Sequence, residues 1–129
     1  MEIVLGSASP RRAEILRAAG IAFTVQSADV DERRLEGEDA VSYVRRLARL
    51  KAEAIQSPGL ILTADTTVRV DDHILEKPTG SEDATRMLRL LSGRPHEVLT
   101  GVCLRLGNHI VVQHESTHVY FQTLSEQDI

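Results

Sequence analysis

Apolar and polar positions along the chain fall into blocks whose period changes from two to about three and a half. "EIVLG" reads as a first strand, Pro10 to Ala19 as a helix with Ser9 as N-cap and Gly20 as stop, and "AFTVQS" as a second strand. The polar stretch "ADVDERRLEGED" follows as a loop, and the spacing then predicts a long helix from Asp39 to Gln56. Val41, Val44, Ala48 and Ile55 form its apolar stripe, with Lys51 in phase. "SPG" breaks that helix, "LILTA" is a short apolar run typical of a buried strand, and "TTVRVDDHILEKP" predicts a hairpin turning at Asp71-Asp72. A helix capped by Ser81 and running to about Leu91, and two longer strands, His96 to Leu106 and His109 to Thr123, joined at Gly107-Asn108, complete an α/β pattern. "LSEQDI" then opens with a helix-capping pattern at Ser125.

One feature is electrostatically odd. Arg11 and Arg12 occupy the first turn of the first helix, the positive end of its dipole, where a cation is disfavoured by about 0.3–1 kcal/mol. An anion belongs there. Asp65 directly follows "LILTA", so its carboxylate is expected at the end of a buried strand, where open α/β sheets hold ligands. Lys77 precedes Pro78, which biases it toward extended backbone. Singly, each has an ordinary explanation: Lys51 can snorkel to water, Asp65 can cap a turn, and the arginines can pair with nearby acids. Together, four cations with the carboxylates of Glu32 and Asp65 are the inventory for a polyphosphate carrying a divalent metal.

Composition narrows the classes. The chain has 129 residues, 42% hydrophobic and 26% charged, as expected of one domain with its own core. Its net charge of −4 and 3% aromatic content argue against nucleic acid as a partner. No run approaches a membrane span and no signal peptide opens the chain, so a cytoplasmic protein without a membrane partner is expected. Cys103 stands alone and is expected in the core, while His114, Glu115 and His118 are expected on an exposed strand without metal. His96 is expected either to brace the site or to pack a turn.

"SASPRR", "DVDE", "LARLKA", "ADTTV", "ILEKP" and "LSGRPHEVLTGV" occur in this order along the chain. In these six segments the sequence resembles the Maf family, septum-formation-inhibitor-like nucleoside triphosphate pyrophosphatases. The resemblance implies a mixed sheet with flanking helices, related to the inosine triphosphate pyrophosphatases, and a nucleotide cleft between two lobes. It implies Asp65 as catalytic carboxylate, Glu32 with Asp65 as holders of Mg²⁺ or Mn²⁺, and Ser7, Ser9, Arg11, Arg12, Lys51 and Lys77 as triphosphate ligands. Two arginines after "SP" and Thr66 after Asp65 resemble the branch acting on dTTP, UTP and modified pyrimidine triphosphates, with Arg11 and Thr66 selecting the base. Family members continue past "LSEQDI" with a further helix and a "KAGAYGIQG"-like segment. A C-terminally shortened domain is therefore expected, with apolar surface near Val119, Phe121 and Leu124 that a homodimer would cover. A nucleotide-binding, non-catalytic module regulating cell division is the reading from a different class.

Overall fold

A computed structural model describes residues 2–7, 10–70, 73–75, 80–93 and 95–120. The elements run β1 (Ile3–Leu5), α1 (Pro10–Ala18), β2 (Thr24–Val25), α2 (Ala40–Ala54), β3 (Leu60–Val70), β4 (His73–Leu75), α3 (Ser81–Leu91), β5 (Pro95–Leu106) and β6 (His109–Tyr120). They form one six-stranded mixed sheet of order β2-β1-β3-β5-β6, with β4 also paired to β3. β1 is parallel to both β2 and β3, whereas β3, β5 and β6 are successively antiparallel. Among the described residues no helix is long and apolar enough to cross a membrane.

The helices lie close to their expected positions because their punctuation is local. Asp39 is the N-cap of α2, accepting the Ser42 amide at 2.7 Å, and Gly80 rather than Ser81 precedes the first turn of α3. Gly107, at φ 60°, turns β5 into β6 as its left-handed geometry requires. Two strands depart from expectation. "AFTVQS" yields only Thr24–Val25, both exposed, and "LILTA" does not stop at Asp65. β3 continues for 11 residues through the segment expected to start a separate hairpin. Its β-branched Thr66, Thr67, Val68 and Val70 favour extended backbone, and β5 pairs it from Ile61 to Arg69. Asp65 is consequently a mid-strand residue. The hairpin itself survives as Val68↔Leu75 and Val70↔His73, while Asp71 and Asp72 lie outside the described residues, as do Ser9, Lys77, Phe121, Leu124 and Ser125. Val119 is half-buried.

The strand order explains the cleft. β1 and β4 share one edge of β3, but β1 pairs only to Leu62 and β4 only from Val68 onward. The Gly6 amide donates to the Leu62 carbonyl at 2.9 Å as the last bond on one flank, and Leu75 pairs Val68 on the other. Between them, among the described residues, no strand covers that edge of β3. This notch separates the β1–α1–β2 part of the molecule from the β4–α3 part.

The core lies between α2 and the sheet. Val4, Ala48, Ala52, Ile55, Ile61 and Cys103 form one buried cluster, and Ala40, Val44 and Leu99 form a second. Burial pushes the Cys103 thiol's pKa up, which fits a residue that fills space. Helix and strand approach at backbone distance: a Cβ on Gly101 would lie 2.4 Å from the Val44 carbonyl oxygen. The Thr63 hydroxyl donates to the Ala48 carbonyl at 2.5 Å, and Arg105 Nη1 donates to the carbonyls of Ala52 (2.9 Å) and Ile55 (3.2 Å), closing the negative end of α2. Because the atoms facing Gly101 are main chain, Gly101→Ala is expected to destabilise the fold by roughly 1–3 kcal/mol through overpacking. Urea unfolding measures this, and an unchanged midpoint would contradict the close approach.

Candidate active site

Strand alternation decides how the site is assembled. Thr63, Asp65 and Thr67 share the face of β3 that meets α2, and Thr66 faces the other way, toward α1. The consecutive residues Asp65 and Thr66 thus serve opposite faces of one strand, at its uncovered edge.

On the α2 face, Lys51 occupies the last helical turn, where the helix dipole favours a cation. Its Nζ lies 3.0 Å from Asp65 Oδ1 and 3.1 Å from Glu32 Oε1. The Lys51 side chain is 14% exposed, Asp65 9% and Glu32 38%, so the ammonium is withdrawn from solvent rather than snorkelling. A cavity of about 280 Å³ opens here, lined by Glu32, Arg33, Tyr43, Asp65, Thr66, Thr67 and Leu75. On the α1 face, Arg12 donates from Nη1 to the Ser7 hydroxyl at 3.1 Å and from Nη2 to the Thr66 hydroxyl at 2.9 Å. The Thr66 and Thr100 hydroxyls are 3.1 Å apart. Arg11 is exposed on the first turn of α1 and, among the described residues, has no hydrogen-bond or ion-pair partner.

The structure therefore brings Lys51, Asp65 and Glu32 into one cluster and Ser7, Arg12 and Thr66 into another. Arg11 joins neither, and Ser9 and Lys77 lie outside the described residues. Sequence reasoning missed Thr100 and Tyr43. Tyr43 was findable, since it precedes Lys51 by two i,i+4 steps on one helix face with Leu47 between. Its hydroxyl donates to the main-chain carbonyl of Glu32. Arg46, one turn away, holds the same loop through Glu38 (2.6 Å) and the Arg33 carbonyl (3.0 Å). The histidines have local roles: His114 Nδ1 lies 2.9 Å from Arg45, and His118 lies 3.8 Å from Glu97, whose carboxylate also contacts Arg69 and Ser116.

Among the described residues, no three His, Cys, Asp or Glu side chains group as a complete metal cage. Glu32 and Asp65 nevertheless converge on one cation with hard oxygen donors. Such a pair suits Mg²⁺ or Mn²⁺, ions commonly held by one or two carboxylates while water and substrate phosphate supply the rest.

A family model described as "Maf-like protein" matches residues 2–129. The chain belongs to the Maf-like family. It is 46% identical to the "dTTP/UTP pyrophosphatase" of Koribacter versatilis (strain Ellin345), over all of this chain and 68% of that protein. With the protein of the same name from Chromobacterium violaceum it shares 47%, over 98% of this chain and 68% of that one. A third, from Anaeromyxobacter dehalogenans (strain 2CP-C), is 55% identical over 80% of this chain and 53% of its own length. The Staphylococcus aureus Ham1 protein structure shares the fold, at a TM-score of 0.57 and 13% identity, covering 92% of this chain and 70% of that one. The Maf-like chain thus spans about two thirds of the first two relatives.

The loop that delivers Glu32 carries a pH signature. Hydrogen bonding from Arg46 holds the Glu38 carboxyl below its ordinary 4.5, and hydrogen bonding from Arg33 holds Asp31 at about 2 instead of 3.8. Both folded-state values are depressed, so the stabilisation is complete above the unfolded pKa values and is lost as pH falls through the folded ones. The Leu35 amide, which donates to Glu38 Oε1 at 3.1 Å, is expected to lose exchange protection as pH drops below 4.5, and the Arg33 amide, bonded to Asp31, between 3.8 and about 2. Amide exchange by NMR reads this, and protection that is flat to pH 2 would contradict it.

Proposed function

We propose that this Maf-like chain hydrolyses dTTP, UTP and modified pyrimidine nucleoside triphosphates to the monophosphate and pyrophosphate. The observation that carries the reading is the largely buried ammonium shared by two carboxylates at the uncovered edge of β3. The names of the relatives, all dTTP/UTP pyrophosphatases, favour hydrolysis over a non-catalytic module in cell division.

The residues divide the work as their chemistry allows. Asp65 orients the attacking water and accepts its proton, since a carboxylate within a low-exposure notch is a positioned base. Lys51 and Arg12 stabilise charge developing on the leaving pyrophosphate, Arg12 with fork geometry suited to phosphate oxygens. Ser7, Ser9, Arg11 and Lys77 complete the phosphate contacts, with the amides of α1's first turn as further donors. Thr66 and Arg11 select the base. Glu32 and Asp65 would hold Mg²⁺ or Mn²⁺, which when bound offsets phosphate charge and orients the triphosphate. An incoming phosphate competes with the carboxylates for Lys51 and draws the ammonium toward the substrate. The reading places the protein in the cytoplasmic nucleotide pool, clearing excess or modified nucleotides, and includes a homodimer.

Pyrophosphate release from a triphosphate panel with Mg²⁺ or Mn²⁺ tests the proposal; no release from any pyrimidine triphosphate would overturn it. Asp65→Asn is expected to retain nucleotide binding while turnover falls more than tenfold, because an amide cannot take the water's proton. Lys51→Met is expected to lower kcat/KM by about 2–5 kcal/mol, as for one removed partner of a desolvated charge pair. Unchanged kcat/KM would return Lys51 to a purely structural role.

A further inference from the structure

We propose that Tyr43 is a positioning residue for the Glu32 carboxylate, and through it for the divalent cation; this rests on the reading of Glu32 as a metal ligand. Glu32 sits in a segment without regular structure between β2 and α2, so its direction must be fixed by contacts. Two come from consecutive turns of α2. The Tyr43 hydroxyl donates to the carbonyl of Glu32 itself, and Arg46 Nη2 donates to the next carbonyl, of Arg33, at 3.0 Å. The Arg46 guanidinium also stacks 5.8 Å from the centre of the Tyr43 ring, so the two holds brace each other.

The consequence is geometric. Holding the carbonyls of the 32–33 and 33–34 peptides fixes the backbone on either side of Arg33, and the anchored 32–33 peptide plane restricts ψ of Glu32, whose side chain meets Lys51 3.1 Å away. Glu32 is 38% exposed, so packing alone does not hold it, and an unheld glutamate would lose rotamer entropy on binding an ion. Tyr43 is 6% exposed, and its ring lines the same cavity as Asp65 and Thr66. Phenylalanine would fill that space equally well. What the tyrosine adds is one buried hydroxyl, and that hydroxyl meets the backbone of the proposed ligand.

Tyr43→Phe isolates the hydroxyl. Mn²⁺ binding to the full 129-residue chain is read by electron paramagnetic resonance, alongside Glu32→Gln and the metal-free melting midpoint. The expected result is a Mn²⁺ dissociation constant raised about tenfold in Tyr43→Phe, at an unchanged midpoint, with a loss at least as large in Glu32→Gln. Wild-type Mn²⁺ affinity in Tyr43→Phe, with affinity lost in Glu32→Gln, would overturn the positioning role alone. Wild-type affinity in Glu32→Gln would instead overturn the ligand reading beneath it. A lowered midpoint with Mn²⁺ affinity retained per folded molecule would assign the hydroxyl to the fold and also overturn the proposal.

Discussion

The site depends on how closely α2 can lie against β3 and β5. That distance is set by atoms that are absent or small: no side chain at Gly101, methyl groups at Ala48 and Ala52, and a threonine hydroxyl that bonds the helix carbonyl directly. With larger residues the helix would stand off, and a lysine in its last turn could still reach water but not a carboxylate inside the sheet. At the observed approach, Lys51 meets Asp65 without leaving the apolar stripe that its neighbours bury. The same contact points Tyr43 and Arg46 at the loop carrying Glu32. One packing distance therefore fixes both sides of the ion cluster.

That cluster is electrically unbalanced. One ammonium faces two carboxylates, so one negative charge is left over in a partly buried place, and removing the lysine would leave two uncompensated. A largely buried ion pair of this kind contributes little net stability against an apolar alternative; in the proposed function its use lies in readiness for a charged ligand. A metal-bound polyphosphate brings both signs, cation for the carboxylates and anion for the lysine. The net charge of −4 over the chain as a whole makes this local pairing matter more than long-range attraction.

Legibility followed the range of the interactions. Helices α1, α2 and α3 could be read because caps, prolines and apolar periodicity act within a few residues. The length of β3 could not, because Asp65 interrupts an apolar run and the partner that keeps the strand extended, β5, comes from a separate stretch of sequence beyond α3. The chemistry of Lys51, Asp65 and Glu32 was visible as residue types in recognisable segments, yet their meeting required the α2 packing. The helix face of Tyr43 could be read from its spacing to Lys51, but its contact, like that of Arg46 with Arg33, is to a main-chain carbonyl, and a carbonyl leaves no mark in a sequence.

The placement of Asp65 within a strand, rather than at its end, changes what the site can do. A strand end offers one residue to a ligand, whereas an uncovered mid-strand edge offers two faces at once. Asp65 turns toward α2 with the ion cluster, and Thr66 turns toward α1 with Arg12 and Thr100. A ligand lying along the notch can engage carboxylates on one side and hydroxyls with a guanidinium on the other. In the proposed function the first set governs proton and charge, and the second supplies directional donors and acceptors of the kind that distinguish one ligand from another. Because the two sets lie on opposite faces of β3, the proposed function separates selectivity, around Thr66, Thr100 and α1, from the reacting groups that pack against α2.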